Sequence, residues 1–152
     1  MIRALRVALL GAALVAAAPA SAGVAESWYL SRGRANMKSA NYAAAIEAYE
    51  RALEANPASR EASRSLALAR LRNGETDRAV AAIDRHLARF PDDADLAFEQ
   101  ARLLQWSRYA YRAGDAVTYL RMGLAARDDA ARRRDLARLL GRDRATLDEA
   151  LA

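Results

Sequence analysis

The chain has 152 residues, with 24 Lys and Arg against 19 Asp and Glu for a net charge of +5, one histidine and no cysteine. The missing thiol excludes disulfides, cysteine nucleophiles and cysteine-based zinc sites, and the length fits one mature domain. Charges of both signs interleave, as in Glu47, Glu50, Arg51 and Glu54, which describes a solvated helix face rather than a nucleic-acid patch.

The first element is an address. Arg3 and Arg6 open the chain without any acid, Val7 to Ala18 is uninterrupted small or apolar sequence, and Pro19 precedes Ala20-Ser21-Ala22. This three-part pattern predicts a cleavable signal peptide over 1–22, cut after Ala22, and export to the bacterial periplasm. The apolar run is short of the roughly 20 residues a membrane-spanning helix needs, and no cysteine is present to carry a lipid. Cleavage removes Arg3 and Arg6, leaving 22 basic residues against 19 acidic ones and a net charge of +3. Nucleic acid is not an expected partner, and a membrane is reached only through a partner or a further C-terminal segment.

The mature part, 23–152, repeats itself at an offset of 34 residues. Ala45 aligns with Ala79, Ile46 with Val80, Tyr49 with Ile83, Leu53 with Leu87 and Pro57 with Pro91, while Gly33 and Ala35 align with Ala67 and Ala69. Such a period marks a solenoid of antiparallel helix pairs, an all-α architecture. In the first repeat (26–59), helix A is expected over Ser27–Met37 and helix B over Tyr42–Ala55. Asn41 is the expected N-cap of helix B, and Pro57 stops it. In helix B, Ala45, Ile46, Tyr49, Ala52 and Leu53 form one apolar stripe.

These residues carry a family resemblance. Gly33, Ala35, Tyr42, Ala45, Ile46, Tyr49, Ala52, Leu53 and Pro57 resemble the tetratricopeptide repeat pattern, and Asn41 to Pro57 is similar to that family's second helix. Asn36 departs from it, occupying a slot normally aromatic or aliphatic.

The second repeat (60–93) opens at Arg60 with Ser59 as expected N-cap. Leu66, Ala67, Ala69 and Leu71 face inward, and Asn73-Gly74 predicts a left-handed C-cap. Its helix B carries Ala79, Val80, Ile83 and Leu87 and closes at Phe90-Pro91. His86 stands where alanine is usual; with no second histidine or cysteine, it is expected to fill the seam between repeats or reach solvent rather than act as a ligand or base. The third repeat (94–127) is irregular. Asp92 or Asp93 caps its helix A, Gly114 arrives late for the period, Asp115 is the expected cap of the next helix, and Tyr119 stands where a small residue belongs. The last, partial unit (128–152) opens at Asp128-Asp129, runs to Leu140, and ends in a segment, Leu147 to Leu151, that resembles the start of another helix B.

The resemblance implies a right-handed superhelix whose concave groove is lined by helix A. The groove positions would be Leu30, Arg34, Met37 and Lys38, then Arg64, Leu68, Leu71 and Arg72, then Phe98, Arg102 and Gln105. They suggest an apolar floor with a basic rim, suited to an extended peptide or protein segment bearing apolar anchors and acids. Ser31, Ser65 and Glu99 sit where one subfamily needs an asparagine to clamp C-terminal carboxylates, so that role is not expected. Trp106, Arg108, Tyr109, Tyr111 and Arg112 form a second candidate patch, since such residues dominate binding hot spots and their rings stack on sugars. A polysaccharide is therefore a second candidate ligand. No catalytic, cofactor or metal site is expected: phosphate loops and nucleophile elbows are absent, and the acids lie on exposed faces. The expected function is a non-catalytic periplasmic interaction scaffold; the alternative is the leading repeat segment of an envelope secretion or exopolysaccharide export protein.

Overall fold

The computed structural model describes residues 18–105 and 113–140, with side chains over 23–105 and 114–140. Among these residues all regular structure is α-helical: α1 (Ala18–Lys38), α2 (Tyr42–Ala55), α3 (Arg60–Arg72), α4 (Thr76–Arg89), α5 (Ala94–Leu104), α6 (Ala113–Ala126) and α7 (Ala130–Leu140). The chain forms two compact units, one through Ala62 and one from Ser63 onward.

In the first unit α1 packs against α2. Of the expected stripe of α2, Ala45, Ile46, Tyr49 and Ala52 are buried, together with Ala48, while Leu53 is half-buried; on α1, Leu30 and Gly33 are buried as well. The contact is tight at one point: a Cβ added at Gly33 would overlap the buried Tyr49 ring. Two polar contacts fasten the ends. Asn41 caps α2, its side chain accepting from the Ala44 N–H at 3.3 Å. The Asn56 amide donates to Glu26 at 2.7 Å, tying the end of α2 to α1.

Helix α1 is described from Ala18, so its backbone is already helical upstream of Ser27 and passes through Ala22.

In the second unit α3, α4, α5 and α6 share one core built on Ala67, Val80, Ile83, Leu87, Leu96, Leu103 and Ala116. A second cluster joins Phe98, Ala101 and Leu120 to Leu136 and Leu139 of α7. Ser59 and Asp93 cap α3 and α5 as expected, accepting from the N–H groups of Ala62 at 3.1 Å and Leu96 at 3.2 Å. Asp115 is not a cap. Helix α6 starts at Ala113 and includes Asp115 in its first turn, where its charge still favours the positive helix end.

The period extends to backbone hydrogen bonds. After α1, the N–H groups of Ser39, Ala40 and Asn41 donate to Ala35, Met37 and Asn36; after α3, those of Asn73, Gly74 and Glu75 donate to Ala69, Leu71 and Arg70. Each pair is the same Schellman turn displaced by one repeat. The left-handed residue is Gly74 (φ 79°) in one and Ala40 (φ 57°) in the other. Alanine pays a steric penalty in that region that glycine avoids.

Candidate functional site

The residues expected to line a groove fall into two groups once their partners are known. Leu30 and Phe98 are buried. The ring of Phe98 fills the space left by Gly123 and lies under the guanidinium groups of Arg127 and Arg132, each 5.5 Å from its centroid. It is therefore a core residue and presents no open ring to a ligand. Leu68 and Leu71 are half-buried against the core of the second unit, and Met37 is half-buried in the first.

Three of the expected rim arginines are engaged within the chain. Arg34 donates to Glu61 at 2.6 Å. Arg64 donates to Asp93 at 2.9 Å and to Asp95 at 3.4 Å. Arg102 grips Glu99 through Nε at 3.0 Å and its second nitrogen, a hydrogen bond that raises its pKa further. Gln105 folds back onto the Ala101 carbonyl at 3.1 Å. Lys38 and Arg72 differ: both are exposed, and each ends the last turn of a helix A. They occupy one register, 34 residues apart, beside half-buried Met37 and Leu71. The second patch, Trp106, Arg108, Tyr109, Tyr111 and Arg112, lies outside the described residues.

The sequence reading missed a buried polar network in the second unit. The His86 side chain is wholly buried and Asp93 nearly so. Ser63 Oγ lies 2.8 Å from His86 Nδ1, and His86 Nε2 lies 3.1 Å from Asp93 Oδ2. An ionised Asp93 accepts only, so Nε2 carries the proton that it receives. Serine, histidine and aspartate in sequence would serve a hydrolase, but here His86 and Asp93 are enclosed. Asp93 also caps α5 and holds Arg64, and an enclosed imidazole gives a reacting carbonyl no approach beside it. The network instead ties α3, α4 and the start of α5 together at the seam.

A second network explains Tyr119. Its hydroxyl donates to Asp84 at 2.5 Å, and the buried Gln100 amide donates to the same carboxylate and, at 3.1 Å, to the Val80 carbonyl. Both networks join residues far apart in sequence; the local signs were His86 at a position that is Ala52 one repeat earlier and Gln100 at one that is Leu66. Among the described residues there is no group of three His, Asp or Glu placed to hold a metal ion. Among the same residues no helix is long and apolar enough to cross a membrane.

Known proteins with this arrangement are repeat proteins. Residues 30–94 match the family model described as tetratricopeptide repeat. No curated protein sequence matches the chain. Among solved structures, that of MamA superposes with a TM-score of 0.66 at 17% identity, covering 83% of this chain and 72% of that one. The Arabidopsis OM64 TPR domain gives 0.64 at 16% identity, covering 78% and 96%. An O-GlcNAc transferase mutant from Thermobaculum terrenum gives 0.60 at 23% identity, covering 78% of this chain but 22% of the enzyme. Similarity at these identities establishes the fold alone; repeat arrays of this kind are typically non-catalytic interaction scaffolds, although an enzyme is among the structures that contain one. Over residues 30–94, with the helix pairs and the turns that recur between them, the chain is similar to the tetratricopeptide repeat family.

Proposed function

We propose that the chain is a non-catalytic protein–protein interaction scaffold of the bacterial periplasm, holding a partner segment on the helix-A surfaces of its repeats. The observation that carries this reading is the recurrence of an exposed cation, Lys38 and then Arg72, beside a half-buried apolar residue at one register of successive helices A. Arg34, Arg64 and Arg102 already hold carboxylates of the chain, so Lys38 and Arg72 are the groove cations left to meet an acidic partner. Rim charges of this kind act mainly on association rate and its salt dependence. The export half of the proposal rests on the pattern of residues 1–22.

Two measurements test it. Mass spectrometry of the protein recovered from a bacterial periplasm should give a chain beginning at Gly23; a chain retaining Arg3 and Arg6 in the cytoplasm defeats the localisation. Cross-linking in that compartment should yield a defined adduct that the double variant Lys38→Glu, Arg72→Glu loses while its circular dichroism stays helical. An adduct unchanged by both reversals defeats the groove assignment.

A further inference from the structure

The 34-residue period lets one helix serve as a template for another. On α5 the positions Leu96, Gln100 and Leu103 are buried, with relative exposures of 1%, 0% and 0%. The helix that covers them is α4 of the preceding repeat. Leu96 and Leu103 share a core with Val80, Ile83 and Leu87, and Gln100 donates to the Val80 carbonyl and the Asp84 carboxylate. The same positions on α3, Ala62, Leu66 and Ala69, are buried as well. On α1 they are Trp28, Arg32 and Ala35, and all three are exposed, Trp28 at 54%. Val24, one turn earlier on the same stripe, is 72% exposed. A tryptophan thus stands in solvent at a position that the next two repeats bury completely. Its edge meets Tyr29, and the Arg32 guanidinium lies 5.4 Å from its centroid.

We propose that the Val24–Trp28–Arg32–Ala35 face of α1 is a docking site for an amphipathic helix of a partner protein, one that presents an aliphatic stripe with a carboxylate opposite Arg32. The chemistry follows from the template. Gln100 meets a carboxylate of the covering helix, Asp84, and Arg32 replaces it with a cation at the same register. A carboxylate placed there meets a cationic donor, an ion pair, where glutamine offers only a neutral one, while Trp28 supplies the buried aromatic anchor typical of helix-in-groove recognition. Residues 1–17 cannot supply this helix, since they contain no Asp or Glu. A second copy docking α1 on α1 brings no acid either, because the stripe itself holds none, and a two-fold pairing sets cation against cation. The site lies on a different face of α1 from Leu30, Arg34 and Lys38 and does not depend on the groove reading.

The probe is a peptide of this chain's own α4, Thr76–Arg89, stapled between the exposed positions Ala81 and Arg85 so that it is helical in solution. It contains no tryptophan, and the variant Trp106→Phe leaves Trp28 as the protein's sole indole. Binding should shift the Trp28 emission to the blue and saturate. An Asp84→Lys peptide should bind about tenfold more weakly, and Arg32→Glu in the protein should restore its binding. No shift, or equal binding of the two peptides to the Arg32 protein, overturns the proposal. So does a shift that grows with protein concentration alone, together with dimer in sedimentation, since a second copy would then own the face.

Discussion

The first and second repeats share a backbone and differ in how side chains fill it. Their turns carry the same hydrogen bonds, yet one places Ala40 and the other Gly74 in the left-handed region. At the contact between helices A and B, Gly33 admits the large Tyr49 ring, whereas the equivalent positions one repeat on, Ala67 and the smaller Ile83, share one core. At the seam, Ala52 is replaced by His86 and the capping residue Ser59 by Asp93, and the two replacements are hydrogen-bonded to each other. A repeat therefore fixes positions and not residues. What a position tolerates is set by the one or two side chains opposite it, because close-packed interiors transmit changes as small as a methyl group.

The seam gives the largest expected contrast. Ser59→Ala should lower stability by about 1 kcal/mol, the value of an N-cap. Asp93→Ala, at the equivalent position, removes a cap, leaves the buried His86 without its carboxylate and takes from Arg64 the nearer of its two, so a loss of about 3 kcal/mol is expected. Urea denaturation of the two variants checks this, and equal losses would break the contrast. The turns should respond with opposite signs: Ala40→Gly should stabilise by up to about 1 kcal/mol and Gly74→Ala should destabilise by a similar amount, read from the same denaturation midpoints.

The smallest effect concerns caps of different charge. The Arg132 N–H, and next to it that of Ala131, hold the Asp129 carboxyl below its usual range at the start of α7. A carboxyl lowered in the folded state contributes stability that is complete above its unfolded value and lost as pH falls through the lowered one. Hydrogen-exchange protection at Arg132 should therefore decline on acidification. Ala44, capped by the uncharged Asn41, should show no such decline from its cap.

Much of this frame was legible in the sequence because periodicity, caps and turn residues are local signals. The bounds of the second helix and the caps Asn41, Ser59 and Asp93 followed from residue type and spacing. The helical stretch upstream of Ser27 did not, since Pro19 beside Ala20-Ser21-Ala22 reads as a break rather than as helix. Ala40 gave no sign of its backbone, because alanine is not a residue that selects the left-handed region. The seam network was hidden for a different reason. Ser63, Arg64, His86 and Asp93 sit on three elements, and only packing brings them within hydrogen-bond reach. The same packing engages Arg64 and buries Phe98, two residues whose sequence register alone assigned them to an open surface.

The claim that positions one period apart are equivalent, and differ only by local compensation, carries both the fold and the docking face on α1. A double-mutant cycle on Gly33 and Tyr49 tests it most directly. Gly33→Ala alone should cost about 1–3 kcal/mol by overlapping the ring. In the Tyr49→Ile background, which reproduces the Ala67–Ile83 pair of the next repeat, the same change should be neutral or stabilising, as alanine is the better helix former. If Gly33→Ala costs the same in both backgrounds, the positions are not equivalent and the account fails.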